Sequence, residues 1–237
     1  MHRIEISGVQ KNSIADELGI EPGDFLVSIN EQVTQDVFDY RFQCADSHLT
    51  MEIEKKNGES WQFDIEKDEA EDLGIEFAMP LLDEEKSCRN KCIFCFIDQL
   101  PKGMRHTLYF KDDDARLSFL YGNYITMTNL SDEEIDRIIR YRMSPVNVSV
   151  HTTNPELRVR MLNNRFAGDI LEKIKRFTSN GITVNCQIVL CPGINDGREL
   201  DRTISDLTSL SPELHSISVV PVGLTRFRDD LPKLIPF

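Results

Sequence analysis
The chain has 237 residues, with 27 Lys and Arg against 40 Asp and Glu, for a formal net charge of -13 at pH 7. So acidic a balance argues against a nucleic-acid surface, which needs a basic patch; it is read as solubility and names no partner. Hydrophobic residues make up 40% of the chain, enough for real cores, yet no run of about 18 or more apolar residues exists to cross a membrane.

This length suits a small domain followed by most of a larger one. Residues 3–8 alternate as a short strand; the opening segment does not read as a signal peptide, and a cytoplasmic location is expected. Residues 13–18 read as a short helix, with Asn12 or Ser13 as N-cap and Gly19 as its stop. Glu21-Pro-Gly-Asp24 is a turn. A strand over 25–29 turns out through residues 30–32, and residues 35–45 look helical. Leu49, Met51 and Ile53 alternate, as do Trp61, Phe63 and Ile65, and Lys56-Asn-Gly-Glu59 between them carries a hairpin signal. Glu66 to Glu71 is an acidic connector.

From about residue 73 strand-like runs alternate with amphipathic helices. Residues 124–128 read as a strand, and Ser131 with Glu134 makes a capping box that opens a helix through Tyr141. Residues 146–150 are the next strand, and 155–163 a short helix with Pro155 in its first turn. Residues 170–180 form a helix stopped by Gly181, followed by a strand over 182–190, a helix over 197–210 and a strand over 217–222. Such alternation predicts a parallel sheet with crossover helices. The fold class is therefore α/β, with a small module over 1–67, possibly completed by 73–77, and a larger domain over 73–237.

The chemistry concentrates at Cys88-x-x-x-Cys92-x-x-Cys95. Three thiolates are one short of a closed cluster or structural zinc site. In one short loop they suit three irons of a [4Fe–4S] cube and leave the fourth iron open to a small molecule. The loop follows the strand-like residues 75–79, and loops after parallel strands line the active face. Ile93, Phe94, Phe96 and Ile97 would wrap the cluster in apolar side chains and limit water access. Zinc instead would need a fourth ligand from His106, His151, Cys186 or Cys191. Asp112, Asp113 and Asp114 are adjacent and so point apart, unlike a calcium loop; a solvated or arginine-pairing run is expected. Cys186 and Cys191 are read as buried structural thiols.

Three resemblances bear on these residues. The segment Asn12-Ser-Ile-Ala-Asp-Glu-Leu-Gly-Ile-Glu-Pro-Gly-Asp-Phe-Leu-Val-Ser-Ile-Asn30 resembles a PDZ domain. In permuted bacterial forms the peptide-binding strand comes last, which assigns Leu73, Gly74 and Ile75 to peptide binding by strand addition. The resemblance implies a peptide or protein partner, or an internal segment in the groove; a module that only packs against the rest of the chain stands equally open. The cysteine loop, with Phe94 before its third cysteine, resembles the radical S-adenosylmethionine (SAM) superfamily. That likeness implies a partial (βα)6 barrel, a [4Fe–4S] cluster on Cys88, Cys92 and Cys95, and SAM at the open iron.

The narrower match is to the bacterial DUF512 family of Fe–S oxidoreductases. It rests on residues 88–105, Phe110-Lys-Asp-Asp-Asp114, Gly122-Asn-Tyr-Ile-Thr-Met-Thr-Asn129, Ser149-Val-His-Thr-Thr153, residues 187–197 and Val219-Val-Pro-Val-Gly-Leu-Thr-Arg226. Members pair a PDZ-like module with a radical-SAM-like middle and continue further, so the likeness implies a barrel truncated here after its fifth strand. The Gly-Gly-Glu-like segment after the second strand is replaced by Thr126-Met-Thr-Asn129, where Thr128 and Asn129 would offer oxygens to the SAM amino group. Phe94 and Gln187 would also contact SAM, and Arg158 or Arg160 would pair with its carboxylate, unless they are ordinary exposed helix arginines. Gln187 and Asn195 would meet the ribose or make loop hydrogen bonds. His151 is either a proton donor or a hydrogen-bonded strand end. The enzyme so implied needs an electron donor and acts on a substrate the sequence does not name. A zinc or Fe–S adaptor working through its PDZ-like module is the alternative.

Overall fold
The computed structural model describes residues 3–79, 81–82 and 84–237. They fold as two compact units, Met1–Glu85 and Lys86–Phe237. The first comprises β1 (Ile4–Val9), α1 (Ile14–Glu17), β2 (Phe25–Ile29), β3 (Gln32–Val33), α2 (Val37–Gln43), β4 (His48–Glu54), β5 (Ser60–Glu66) and β6 (Ile75–Phe77). Its sheet runs β5-β4-β2-β1-β6, with β3 hairpinned onto β2. Period-two alternation puts Leu49, Met51 and Ile53 on one face, where they pack with Ile6, Leu26 and Ile29. Ser13 and Asp36 cap the two helices by accepting backbone N–H groups of the first turn. Asp24 is buried in an ion pair with Lys55 at 2.6 Å and also accepts the N–H groups of Glu21 and Lys56. Burial alone would raise its pKa, but the Lys55 hydrogen bond and the two backbone donors hold it below the usual carboxylate value.

Residues 73–77 were expected to open the barrel or to complete the first module. β6 pairs antiparallel with β1, and Leu73 and Ile75 are buried in the first unit's core. The division therefore falls after Glu85 rather than at residue 73. Leu73 and Gly74 turn their carbonyls to Ala15 N–H and Gln10 N–H, both at 2.9 Å.

The second unit comprises short 3-10 turns at Ile97–Gln99 and His106–Tyr109, then α3 (Ala115–Tyr121), α4 (Asp132–Arg140), β7 (Val146–Ser149), α5 (Pro155–Leu162), α6 (Ile170–Thr178), β8 (Val184–Leu190), α7 (Arg198–Thr208) and β9 (Leu214–Pro221). The Ser131–Glu134 capping box forms as expected, and Pro155 opens α5. β7, β8 and β9 make a parallel sheet with helices as the crossovers. A five-stranded barrel does not form among the described residues. Residues 75–77 belong to the other sheet, and residues 124–128 contribute a single parallel bridge, Ile125 to Val148. That segment leaves the sheet because the Thr126 N–H bonds the Asp113 carboxylate at 2.5 Å and Met127 takes φ 58°. No helix among the described residues is long and apolar enough to cross a membrane.

Candidate cofactor site
A cavity of about 620 Å³ opens at the C-terminal ends of the parallel strands. Ser149 and His151 follow β7 onto its wall, Gln187 and Val189 come from β8, and Pro221 and Gly223 from the end of β9. Cys88, Cys92 and Cys95 line the cavity too, with Phe94, Phe96 and Ile97. The cysteine loop is pinned from several directions. Cys88 N–H bonds the Lys111 carbonyl at 2.7 Å, and Lys91 and Ile93 N–H groups bond the carbonyls of Leu162 and Met161 at the end of α5. Buried Gln99 clamps its far end: the amide donates to the carbonyls of Phe94, Cys95 and Gly223, and its Oε1 accepts Thr225 N–H at 3.0 Å.

Three free thiols line this cavity. Burial raises the Cys92 pKa, and the neighbouring Cys88 and Cys95 raise it further. Burial also raises Cys88, with Asp113 adding to it, and raises Cys95. Lys111, which lines the cavity and pairs with Asp98 at 2.6 Å, pulls all three the other way. Among the described residues no group of three or more His, Cys, Asp or Glu side chains converges as a ready-made site for a single ion. A single zinc demands thiolates within about 2.3 Å of one point; a cluster spreads them over separate irons. Cys88, Cys92 and Cys95 all line this roomy cavity, and three cysteines are the donor set that separate irons of a cluster would take. Of the proposed fourth zinc ligands only His151 lines the cavity; Cys186 is buried, and Cys191 is buried in the core against which Cys92, Ile93 and Phe94 pack.

The other expected site residues divide. Phe94 and Gln187 line the cavity, whereas Thr128, Asn129, Arg158, Arg160 and Asn195 do not. Arg158 is neither exposed nor free for an anion. It is buried, donating Nε to Val150 O, Nη1 to Ala167 O and Nη2 to Thr126 O and Ser149 O at 2.6–2.9 Å. It braces the backbone beneath the site. Asn195 turns inward, donating to the carbonyls of His151 and Val189. His151 is buried with φ 66°, its Nδ1 accepting Val189 N–H at 3.1 Å and its ring 4.4 Å from that of Phe94. This leaves the ring proton on Nε2, and burial, aided by Arg158, pushes the pKa down to about 3. A non-glycine residue held in left-handed backbone costs roughly 1–3 kcal/mol and persists where its surroundings over-determine it, often at functional sites.

Of the two expectations for the aspartate run, arginine pairing holds at Asp114 and solvation does not hold for Asp113 and Asp114, which are buried. Asp114 grips Arg116 and caps α3, while Asp113 accepts both N–H and Oγ1–H of Thr126. Sequence reasoning missed Asn90, Gln99 and Lys111. Their importance lies in partners distant along the chain, although Asn90 and Gln99 sit inside or beside the cysteine loop.

A cavity at the carboxyl edge of a parallel sheet is where α/β domains take their ligands, and here three cysteines line it. Residues 67–217 match the radical SAM-like domain, and the chain belongs to that family. Residues 5–55 match the PDZ domain. No curated protein matches the chain.

Proposed function
We propose that this protein is a radical SAM Fe–S oxidoreductase of the DUF512 type, in which Cys88, Cys92 and Cys95 hold a [4Fe–4S] cluster. The observation that carries this reading is three free thiols lining one cavity, within the segment that matches the radical SAM-like domain. When bound, the cluster supplies one electron from an external donor to cleave SAM into methionine and a 5′-deoxyadenosyl radical. The chain's own residues shape where this occurs. Phe94 and Ile97 limit water access, Gln187 offers an amide to the SAM ribose, and His151 presents a neutral ring with its proton on Nε2. Lys111 offsets the negative charge of three thiolates. Thr128 and Asn129 sit behind the wall, so a SAM amino-group role for them requires the 126–129 segment to turn.

A second reading concerns the first unit. β6 ends its sheet and, among the described residues, pairs only with β1. The outer edge of Ile75–Phe77 is where an extended peptide would add as a strand; Leu73 and Gly74 carry internal hydrogen bonds instead. Loss of peptide binding on substitution in β6, with the cluster intact, would separate an adaptor role from the enzyme.

The test is electron paramagnetic resonance of the anaerobically reconstituted, dithionite-reduced protein with and without SAM. A reduced [4Fe–4S] signal that changes on adding SAM is expected. A signal indifferent to SAM removes the open-iron assignment, and stoichiometric zinc without iron removes the radical-enzyme reading.

A further inference from the structure
The Asn90 side chain is buried two residues beyond Cys88 and makes four contacts that fix its orientation. The backbone N–H of Phe166 donates to Asn164 Oδ1 at 2.9 Å, which turns the Asn164 amide nitrogen toward Asn90. Asn164 Nδ2 then donates to Asn90 Oδ1 at 2.6 Å, and Thr128 Oγ1 donates to the same oxygen at 3.1 Å. With its oxygen so occupied, Asn90 must point Nδ2 the other way. One N–H reaches Cys88 Sγ at 3.3 Å and the other Thr126 Oγ1 at 2.9 Å. Thr126 passes its own hydroxyl proton to Asp113 at 2.7 Å, so it is free to accept from Asn90. A backbone donor that cannot flip thus sets, through two amides, the polarity of the contact at the sulfur.

The geometry points to Asn90 as a positioning residue that tunes the reduction potential of the cluster, locked in its donating orientation by Asn164. This rests on the cluster assignment above. An N–H aimed at a thiolate sulfur stabilises negative charge there, and a cluster gains one negative charge on reduction. The contact therefore favours the reduced form, the one that passes an electron to SAM. Asn90 touches neither SAM nor substrate in this assignment. It acts through Cys88.

The test uses full-length protein, reconstituted anaerobically, with midpoints read by EPR-monitored redox titration beside iron and sulfide analysis. In Asn90→Ala the side-chain donor is gone while the Asn90 backbone N–H still faces Cys88, and a midpoint more negative than wild type is expected at unchanged iron content. In Asn164→Ala the donor remains but its lock is removed, and a smaller shift in the same direction is expected. A merely structural role would change cluster occupancy and leave the midpoint where it was. Asn90→Ala protein with a full cluster and the wild-type midpoint overturns the proposal. Should Asn90→Ala fail to take up iron, Asn164→Ala decides, and an unchanged midpoint there overturns it equally. Wild-type protein that assembles no cluster fails the earlier functional reading before any variant is compared, and this proposal with it.

Discussion

At the scale of single residues, the candidate site is a set of charges held out of water. The three cysteines stand out in the sequence because their spacing is local, and the fold brings all three to one cavity. The residues that condition them do not stand out: Asn90 meets Thr126 and Asn164, and Gln99 meets Gly223 and Thr225, pairings that only the fold creates. Arg158 shows the same limit. A helix arginine suggests a solvent or anion partner, yet four backbone carbonyls claim this one, and a guanidinium satisfies such a ring of acceptors better than any other side chain. The thiols themselves lead to a pH prediction. Burial raises the pKa of Cys88, Cys92 and Cys95 above the ordinary thiol value, so at neutral pH each is protonated. Ligation needs thiolates and must release those protons. Iron uptake by the ligand-free protein should therefore strengthen as pH rises from about 6.5 to about 8.5. Anaerobic iron titration, with proton release followed by an indicator dye, measures this. Uptake independent of pH, with no proton release, would mean the thiols are already ionised.

At the scale of elements, helices were more legible than strands. Caps are local, and Ser131 with Glu134, Pro155 and Gly181 each mark an end that the structure keeps. Strand-like runs say nothing of their partner. Residues 75–77 read either as the opening barrel strand or as the strand completing the first module, and they joined the first sheet, while residues 124–128 kept one bridge because Asp113 took the Thr126 N–H. Gly74 explains why β6 goes where it does. Its φ of 79° suits glycine, and a Cβ there would lie 2.3 Å from the Ser13 Cβ. The chain passes against the α1 N-cap only because no side chain intervenes. Gly74→Ala should cost at least about 2 kcal/mol, combining left-handed strain with overpacking. Urea unfolding of the first unit, followed through Trp61 on β5, would read it. Adding Ser13→Gly should restore part of the loss by removing the clash while the backbone strain remains. A Gly74→Ala protein as stable as wild type would show that β6 docks without the close approach.

Across the whole molecule the charge is unevenly divided. Met1–Glu85 carries 22 Asp and Glu against 6 Lys and Arg, whereas Lys86–Phe237 carries 18 against 21. The net charge of -13 therefore belongs to the first unit, and the cofactor unit is slightly basic. The overall balance hides this, because a net charge for the whole chain does not say where the excess lies. A compact unit with so large an excess of one sign is destabilised by its own repulsion, and salt screens that repulsion. Raising ionic strength from about 0.01 M to about 0.15 M shortens the screening length from about 30 Å to about 8 Å, less than the width of such a domain. The chain has a single tryptophan, and Trp61 lies in β5 of the acidic unit, so its fluorescence follows that unit alone. Among the described residues five of the seven α-helices, α3 to α7, lie in the second unit, so far-ultraviolet dichroism at the helix bands is weighted toward it. The thermal midpoint read from Trp61 should rise over this salt range, and the dichroism midpoint should move much less. The buried Asp24–Lys55 pair is shielded from the salt and should not offset the gain. A Trp61 midpoint that stays fixed or falls would mean that specific ion pairs, rather than net repulsion, govern the acidic unit.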